Sequence, residues 1–113
     1  MQLQTQIRPD VISVLVLEDR IDAASAIQFK ERMRDVTANG DQRVVLDLAR
    51  VQFLDSSGLG AIVAVKKLLG PDRVLELSGL TPTVEKVFRL TRMDSIFTIH
   101  PTLEVAVANA ASA

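Results

Sequence analysis

The sequence predicts an α/β domain with a mixed, mostly parallel sheet of about five strands and about four helices. Apolar, β-branched segments alternate along the chain with segments whose apolar residues recur at helical spacing. Helices that connect successive strands imply right-handed crossovers, and therefore parallel strand pairs. The length of 113 residues, with 48% hydrophobic and 24% charged residues, suits one globular domain that spans residues 1–113.

The first half of the chain predicts two strands and a helix. Leu3, Thr5 and Ile7 alternate with glutamines, as in a short strand with one solvated face, and this strand should be antiparallel at or near a sheet edge. The nearly apolar run Val11 to Leu17 predicts a strand buried on both faces. Asp22 is a plausible N-cap for the first helix, which Asn39-Gly40 ends. The apolar positions of that helix are Ala26, Phe29, Met33 and Val36.

The second half repeats the order of strand and helix. β-Branched and leucine-rich runs mark the strands, Gly70-Pro71 closes one helix, and Thr81 precedes a proline at the first position of another. The predicted strands are Arg43–Leu48, Val74–Leu77 and Ile96–Ile99. The predicted helices are Ser56–Leu69, one that begins at Thr81-Pro82, and Thr102–Asn109.

The composition excludes several classes of function. Without cysteine, the chain has no disulfide, catalytic thiol or zinc-thiolate site. Lys and Arg number 13 against 14 acidic residues, which gives no electrostatic case for nucleic-acid binding. No apolar run approaches the roughly 20 residues of a membrane span, and the polar start at residues 1–6 is no signal peptide. We therefore expect a cytoplasmic protein without membrane insertion.

The most informative segment is Phe53 to Gly60, which reads Phe-Leu-Asp-Ser-Ser-Gly-Leu-Gly between a predicted strand and a predicted helix. It places the hydroxyls of Ser56 and Ser57 at a helix N-terminus, where unpaired N–H groups and the helix dipole favour an anion such as phosphate. Functional loops of such sheets gather at the carboxyl ends of the strands. Two loops there, Glu18 to Asp22 and Asp55 to Gly58, are the candidate site, and phosphorylation of a serine is the first hypothesis.

The run Asp55 to Gly60, after an apolar strand, resembles the signature of STAS domains, in particular the stand-alone anti-sigma factor antagonists. The resemblance covers nearly the whole chain and implies a single STAS domain. It also implies that Ser56 is phosphorylated by the anti-sigma factor, which is itself a serine kinase, and that a serine phosphatase restores it. The unphosphorylated form would bind the anti-sigma factor and free the sigma factor, and the phosphorylated form would let go.

The same resemblance implies a partner-binding surface around Ser56. We expect no cofactor and no metal ion. Asp22 matches an acidic position near the phosphoacceptor and the partner surface. The other residues of this surface come from the signature: Asp55, Ser57, Gly58, Leu59 and Gly60. Its two glycines would permit an unusual turn or a close approach by the partner's backbone. Residues 19–22 read Asp-Arg-Ile-Asp where relatives usually carry Gly-Glu-Leu-Asp, a departure that bears on which kinase is recognised.

Several alternatives remain open. The serines could simply cap the following helix, and Asp22 could be a bare N-cap. The chain could be a non-phosphorylated STAS scaffold subunit of a lipid-transport or stress-signalling assembly. It could also be a receiver-like switch phosphorylated on Asp55, although no lysine follows the last predicted strand, where receivers keep one.

No constellation of residues supports enzymatic activity. Leu54 stands where a hydrolase nucleophile elbow around Ser56 would need glycine. The single histidine, His100, precedes a proline and is expected in a solvated turn. We therefore expect no catalytic residue in this chain.

Overall fold

The computed structural model describes residues 1–111, and for residues 109–111 it describes the backbone alone. Residues 112 and 113 of the predicted domain lie outside the described part of the chain. The strands are β1 (Leu3–Ile7), β2 (Val11–Val16), β3 (Arg20–Ile21), β4 (Arg43–Asp47), β5 (Phe53–Leu54), β6 (Leu75–Ser78) and β7 (Ile99–His100). The helices are α1 (Ala26–Thr37), α2 (Ser56–Leu69), α3 (Pro82–Leu90) and α4 (Leu103–Ala111), with a 3₁₀-helix at Met93–Ser95.

Five strands form the main sheet, in the order β1-β2-β4-β6-β7. β1 runs antiparallel to β2, with Leu3 opposite Val16 and Ile7 opposite Ile12, whereas the other neighbouring strands are parallel. This mixed, mostly parallel sheet and the α-helices that connect its strands confirm the predicted fold class. β1 also lies at the edge of the sheet, as the sequence predicts.

The main core lies between the sheet and the helices α1, α2 and α3. Alternate residues of the central strands point into it, and Phe29 of α1 and Phe88 of α3 are fully buried there, as their helical spacing predicts. A smaller cluster, in which Val11 and Val45 pack with Ala106 of α4, covers the opposite face. Because both faces are covered, β2 is apolar at every position except Ser13, rather than alternating between apolar and polar residues.

A buried polar cluster ties α4 to the sheet. The Glu76 carboxylate accepts hydrogen bonds from the Arg43 guanidinium and is hydrogen-bonded to His100 Nε2. Arg43 also donates to the carbonyl oxygen of Ala106 in α4, over 2.9 Å. Burial acts to raise the pKa of the Glu76 carboxyl, but the hydrogen bonds from Arg43 and His100 outweigh it and hold the pKa below its ordinary value. The prediction that His100 lies in a solvated turn is wrong, because β7 extends to His100 and buries its ring.

One other local prediction is wrong, and two short strands were not predicted. The last strand is not Ile96–Ile99: Phe97 packs edge to face on Phe88 with ring centroids 5.9 Å apart, and the strand begins only at Ile99. The short strands β3 and β5 were not predicted, and they pair in parallel as a separate two-stranded sheet. This small sheet positions the candidate site.

Candidate functional site

The small sheet joins the two loops that the sequence singles out. Arg20 pairs with Phe53, and Ile21 pairs with Leu54. At the entry to this pairing, the carbonyl oxygen of Asp19 accepts a hydrogen bond from the N–H of Gln52 over 2.7 Å. The loop that ends in Asp22 therefore lies directly against the loop that begins α2, as expected for loops at the carboxyl ends of parallel strands.

Asp55 is the N-cap of α2 and also bridges the two loops. One carboxylate oxygen, Oδ1, accepts a hydrogen bond from the N–H of Gly58 over 2.8 Å, which satisfies a free donor of the first helical turn. The other oxygen, Oδ2, accepts from the N–H of Ala23 over 3.2 Å. A single side chain thus fixes the start of the helix to the loop of Asp22.

Ser56 and Ser57 are the first two residues of α2, and both are exposed. The alternative in which these serines cap the helix is wrong, because Asp55 caps it. The hydroxyl of Ser56 is therefore placed on the surface at a helix N-terminus, where partial positive charge favours an added anion.

Asp22 closes a turn ahead of α1 rather than capping the helix. Its carboxylate accepts hydrogen bonds from the Ala24 N–H and the Ser25 hydroxyl, while Ser25 stands at the N-cap position. The prediction of an N-cap at Asp22 is wrong, because three residues of this turn separate Asp22 from the first helical residue, Ala26.

The carboxylate of Asp22 also forms an ion pair with Arg20, whose Nε lies 2.9 Å from Oδ2. Partial desolvation acts to raise the pKa of Asp22. The hydrogen bonds from Ser25 and Ala24 and the charge of Arg20 outweigh it, so the pKa lies below its ordinary value. The Arg20 guanidinium in turn lies over the ring of Phe53, 4.7 Å from its centroid. Sequence reasoning noted Arg20 only as a departure from the family pattern and did not predict that it orders the loop.

The two glycines of the signature have different environments. A Cβ at Gly58 would lie 2.1 Å from the carbonyl oxygen of Ile21, so this glycine admits a close approach by the backbone of β3. A Cβ at Gly60 would point into open space. Apart from the adjacent residues and the nearby backbone of α2 itself, no heavy atom of the described chain lies within 4 Å of it. Both residues lie within α2 and neither has a positive φ, so the prediction of an unusual turn conformation is wrong for both.

An open groove of about 410 Å³ runs along α2 beside Ser56. The predicted site residues Leu59 and Gly60 line it together with Met93, which follows α3 and was not predicted as a site residue. The other lining residues are Val63, Ala64 and Lys67. The groove combines apolar side chains with one lysine, a surface suited to contact with another protein.

Within residues 1–111, no three His, Asp or Glu side chains are grouped so that they could hold a metal ion. No helix in the same range is long and apolar enough to cross a membrane.

Known proteins similar to this chain include several named as anti-sigma factor antagonists. The family model of the STAS domain matches residues 2–106. BtrV of Bordetella bronchiseptica, named as an anti-sigma factor antagonist, is 32% identical over 100 residues, which are 88% of this chain and 86% of BtrV. RsfB of Mycobacterium tuberculosis, named as an anti-sigma-F factor antagonist, is 26% identical over 96 residues, or 85% of this chain and 79% of RsfB. The crystal structure of an anti-sigma factor antagonist from Mycobacterium paratuberculosis superposes with a TM-score of 0.85 at 26% identity, over 96% of this chain and 92% of that one.

Proposed function

Since the chain belongs to the STAS domain family, we propose that it acts as an anti-sigma factor antagonist in the cytoplasm. In this proposal the unphosphorylated chain binds an anti-sigma factor that is also a serine kinase. Phosphorylation of Ser56 releases that partner, and a serine phosphatase reverses the change. The chain is the substrate of this chemistry and not an enzyme.

The observation that carries the proposal is the placement of Ser56. Its hydroxyl lies on the surface at the first residue of α2, in the groove wall, and the helix start is fixed by Asp55 to the loop of Asp22. A phosphate there would meet the positive end of the helix dipole, so it would leave the fold intact. The same phosphate would change the charge of a surface formed by both loops.

The electrostatic change is large enough for a switch. Phosphorylation would add about −1.5 to −2 charges and three acceptor oxygens next to Asp55. The Asp55 carboxylate is in turn hydrogen-bonded to the loop of Asp22. Unit charges about 4 Å apart repel by roughly 4 kcal/mol at an effective dielectric constant of about 20, and solvent reduces this further. A differential affinity of about 3 kcal/mol already changes binding by more than a hundredfold. Release of a partner without unfolding is the expected result.

The receiver-like alternative fits the site less well. Both carboxylate oxygens of Asp55 accept hydrogen bonds from backbone N–H groups, which favours a structural role over that of a phosphoacceptor. The scaffold alternative differs only in having no phosphorylation and another partner. Both alternatives are outcomes of the experiments below.

The first experiment is mass spectrometry of the protein purified from its native host, with the phosphate located by fragmentation. We expect phosphoserine at Ser56 that survives acid treatment, whereas an acyl phosphate on Asp55 would be lost. Ser56→Ala used as bait should retain an anti-sigma factor kinase, because it cannot be released by phosphorylation. Recovery of a transporter ATPase instead would favour the scaffold.

The second experiment compares the affinity of variants for that kinase. Ser56→Ala should bind constitutively, Ser56→Asp and Ser56→Glu should bind more weakly, and Ser57→Ala serves as the matched control that remains switchable. The acidic variants carry less charge than phosphate, so their effect is smaller than that of true phosphorylation. Equal affinity of wild type, Ser56→Ala and phosphorylated protein would rule the switch out.

A further inference from the structure

The edge strand β1 has a free hydrogen-bonding side. Within residues 1–111 it pairs only with β2. The N–H of Leu17 donates to the carbonyl oxygen of Gln2, and the N–H of Arg8 donates to that of Val11, each over 2.9 Å. The even-numbered residues therefore direct their backbone groups towards β2. Since these directions alternate along a strand, the N–H and C=O groups of Leu3, Thr5 and Ile7 face away from the sheet.

The sequence of β1 is symmetric about its centre. It reads Leu-Gln-Thr-Gln-Ile, so that an apolar residue, a glutamine and a central threonine recur in the same order from either end. When two copies of a strand pair antiparallel across a twofold axis, each residue lies opposite the residue at the same distance beyond the axis. In a symmetric sequence these opposite residues are of the same kind. With the axis at Thr5, each Leu3 lies opposite an Ile7, and each Gln4 lies opposite a Gln6.

From these two features we propose that β1 is a self-complementary edge through which two copies of this chain pair into a continuous ten-stranded sheet, twice the five strands of one copy. The three outward-facing residues would form three hydrogen-bonded pairs with two bonds each, or about six bonds in total. Between these pairs, each Gln4 would lie opposite a Gln6 of the other copy in a non-hydrogen-bonded pair. The Cα atoms of such pairs are closer, so the glutamine side chains would be in contact.

The exposed side chains of the edge fit this pairing. Ile7 is 67% exposed, the second most exposed of the large hydrophobic residues described. In the pair it would lie beside Leu3 of the other copy, which itself packs against the main core. An apolar groove of about 460 Å³, lined in part by Thr5, Ile7 and Ile12, adjoins the same edge. The pairing would thus cover an apolar surface that a monomer leaves in water.

The strand also lacks the features that prevent edge pairing. Soluble proteins usually protect a free edge with a charged residue, a proline or a bulge, and Leu3 to Ile7 contains no charged residue or proline. In the symmetric register, Gln2 lies opposite Arg8, so no like charges meet. None of the five strand residues lines the groove beside Ser56, and the pairing leaves that surface open.

A charge exchange at the two exposed glutamines tests the pairing. Within the monomer it removes one exposed side-chain hydrogen bond, from Arg8 to Gln6. Sedimentation equilibrium of the full chain, 12.3 kDa as a monomer, should show a concentration-dependent dimer. Gln4→Lys combined with Gln6→Lys brings like charges opposite each other twice and should weaken the dimer at least tenfold. Gln4→Lys combined with Gln6→Glu brings opposite charges together and should dimerise within about threefold of wild type. A monomeric wild type up to millimolar concentration, or equal dimerisation of all three proteins, would overturn the proposal.

Oxidative cross-linking tests the register. Because the chain has no cysteine, Gln4→Cys and Gln6→Cys each introduce a single thiol. Opposite residues of a closer pair have Cα atoms about 4.5 Å apart, within the range of a disulfide, whereas two residues at position 4 would lie about 8 Å apart. A mixture of the two variants should form a disulfide-linked dimer, and either variant alone should not. Equal cross-linking in all three samples would refute the symmetric register.

Discussion

Alanine should have opposite effects at the two glycines of α2. At Gly58 the new Cβ would lie 2.1 Å from the carbonyl oxygen of Ile21 and 2.7 Å from Cδ1 of Leu54. Real Cβ contacts are essentially never shorter than 3.0 Å, so the backbone of β3 must retreat by about 0.9 Å, the difference between 3.0 and 2.1 Å. At Gly60 the same methyl group enters open space.

The magnitudes follow from these contacts. Forcing a methyl group against backbone costs about 1–3 kcal/mol, and β3 is held to β5 by only two residue pairs, which the shift would disturb. Better helix propensity returns about 1 kcal/mol at either position. Because the overlap involves backbone and also disturbs the β3–β5 pairing, the cost should lie at the upper end, about 3 kcal/mol. After the gain in helix propensity, we expect Gly58→Ala to lower the free energy of unfolding by about 2 kcal/mol in total. Gly60→Ala should raise it by about 0.5–1 kcal/mol.

Urea unfolding monitored by circular dichroism measures both values on the full chain. Thermal unfolding gives an independent check. For a domain of this size, a change of 1 kcal/mol in the free energy of unfolding shifts Tm by about 4 °C, so the Tm values of the two variants should differ by about 10 °C. Gly60→Ala is the matched control, because it makes the same chemical change in the same helix without the close approach. A Gly58→Ala protein as stable as wild type would refute the inference that β3 is packed directly against α2.

Three further substitutions test other contacts. Asp55→Ala removes the acceptor of two backbone N–H groups and should lower the free energy of unfolding in urea by about 1–2 kcal/mol. Burial raises the pKa of Asp47, so the folded state holds its proton more tightly than the unfolded chain, and this residue lowers stability as pH rises through the folded-state pKa. Asp47→Asn should therefore have a higher Tm than wild type at pH 7, and the difference should shrink towards pH 4. Arg43→Ala leaves the buried Glu76 carboxylate without its guanidinium and should cost about 3 kcal/mol in urea at pH 7.

Local signals in the sequence were sufficient for the main elements. The helix predicted at Ser56–Leu69 has those bounds in the structure, because Asp55 and Gly70-Pro71 mark its ends in the sequence itself. The apolar runs similarly identify the central strands of the sheet, to within two residues at each end. The two loops that the sequence singles out at the carboxyl ends of strands also lie against each other in the structure.

Contacts between distant segments could not be predicted in the same way. β3 and β5 have two residues each, too few for any periodicity, and they exist because Arg20 and Ile21 meet a segment more than 30 residues later. The neighbouring proline predicts a turn at His100, whereas in the structure its buried ring is hydrogen-bonded to Glu76, 24 residues away. The close approach at Gly58 likewise involves the loop of β3 and leaves no mark in the signature itself.

These distant contacts explain why a charge on Ser56 could act on both loops at once. The loop of Asp22 is held at three places: by strand pairing to β5, by the hydrogen bond from Ala23 to Asp55, and by the close packing of Ile21 on Gly58. A loop fixed in this way has little freedom to open when a charge is added beside it. In the proposed switch, a phosphate on Ser56 would therefore act by changing the charge of a surface that keeps its shape. The partner would be released by repulsion and desolvation at that surface, and the antagonist would keep its fold for the phosphatase.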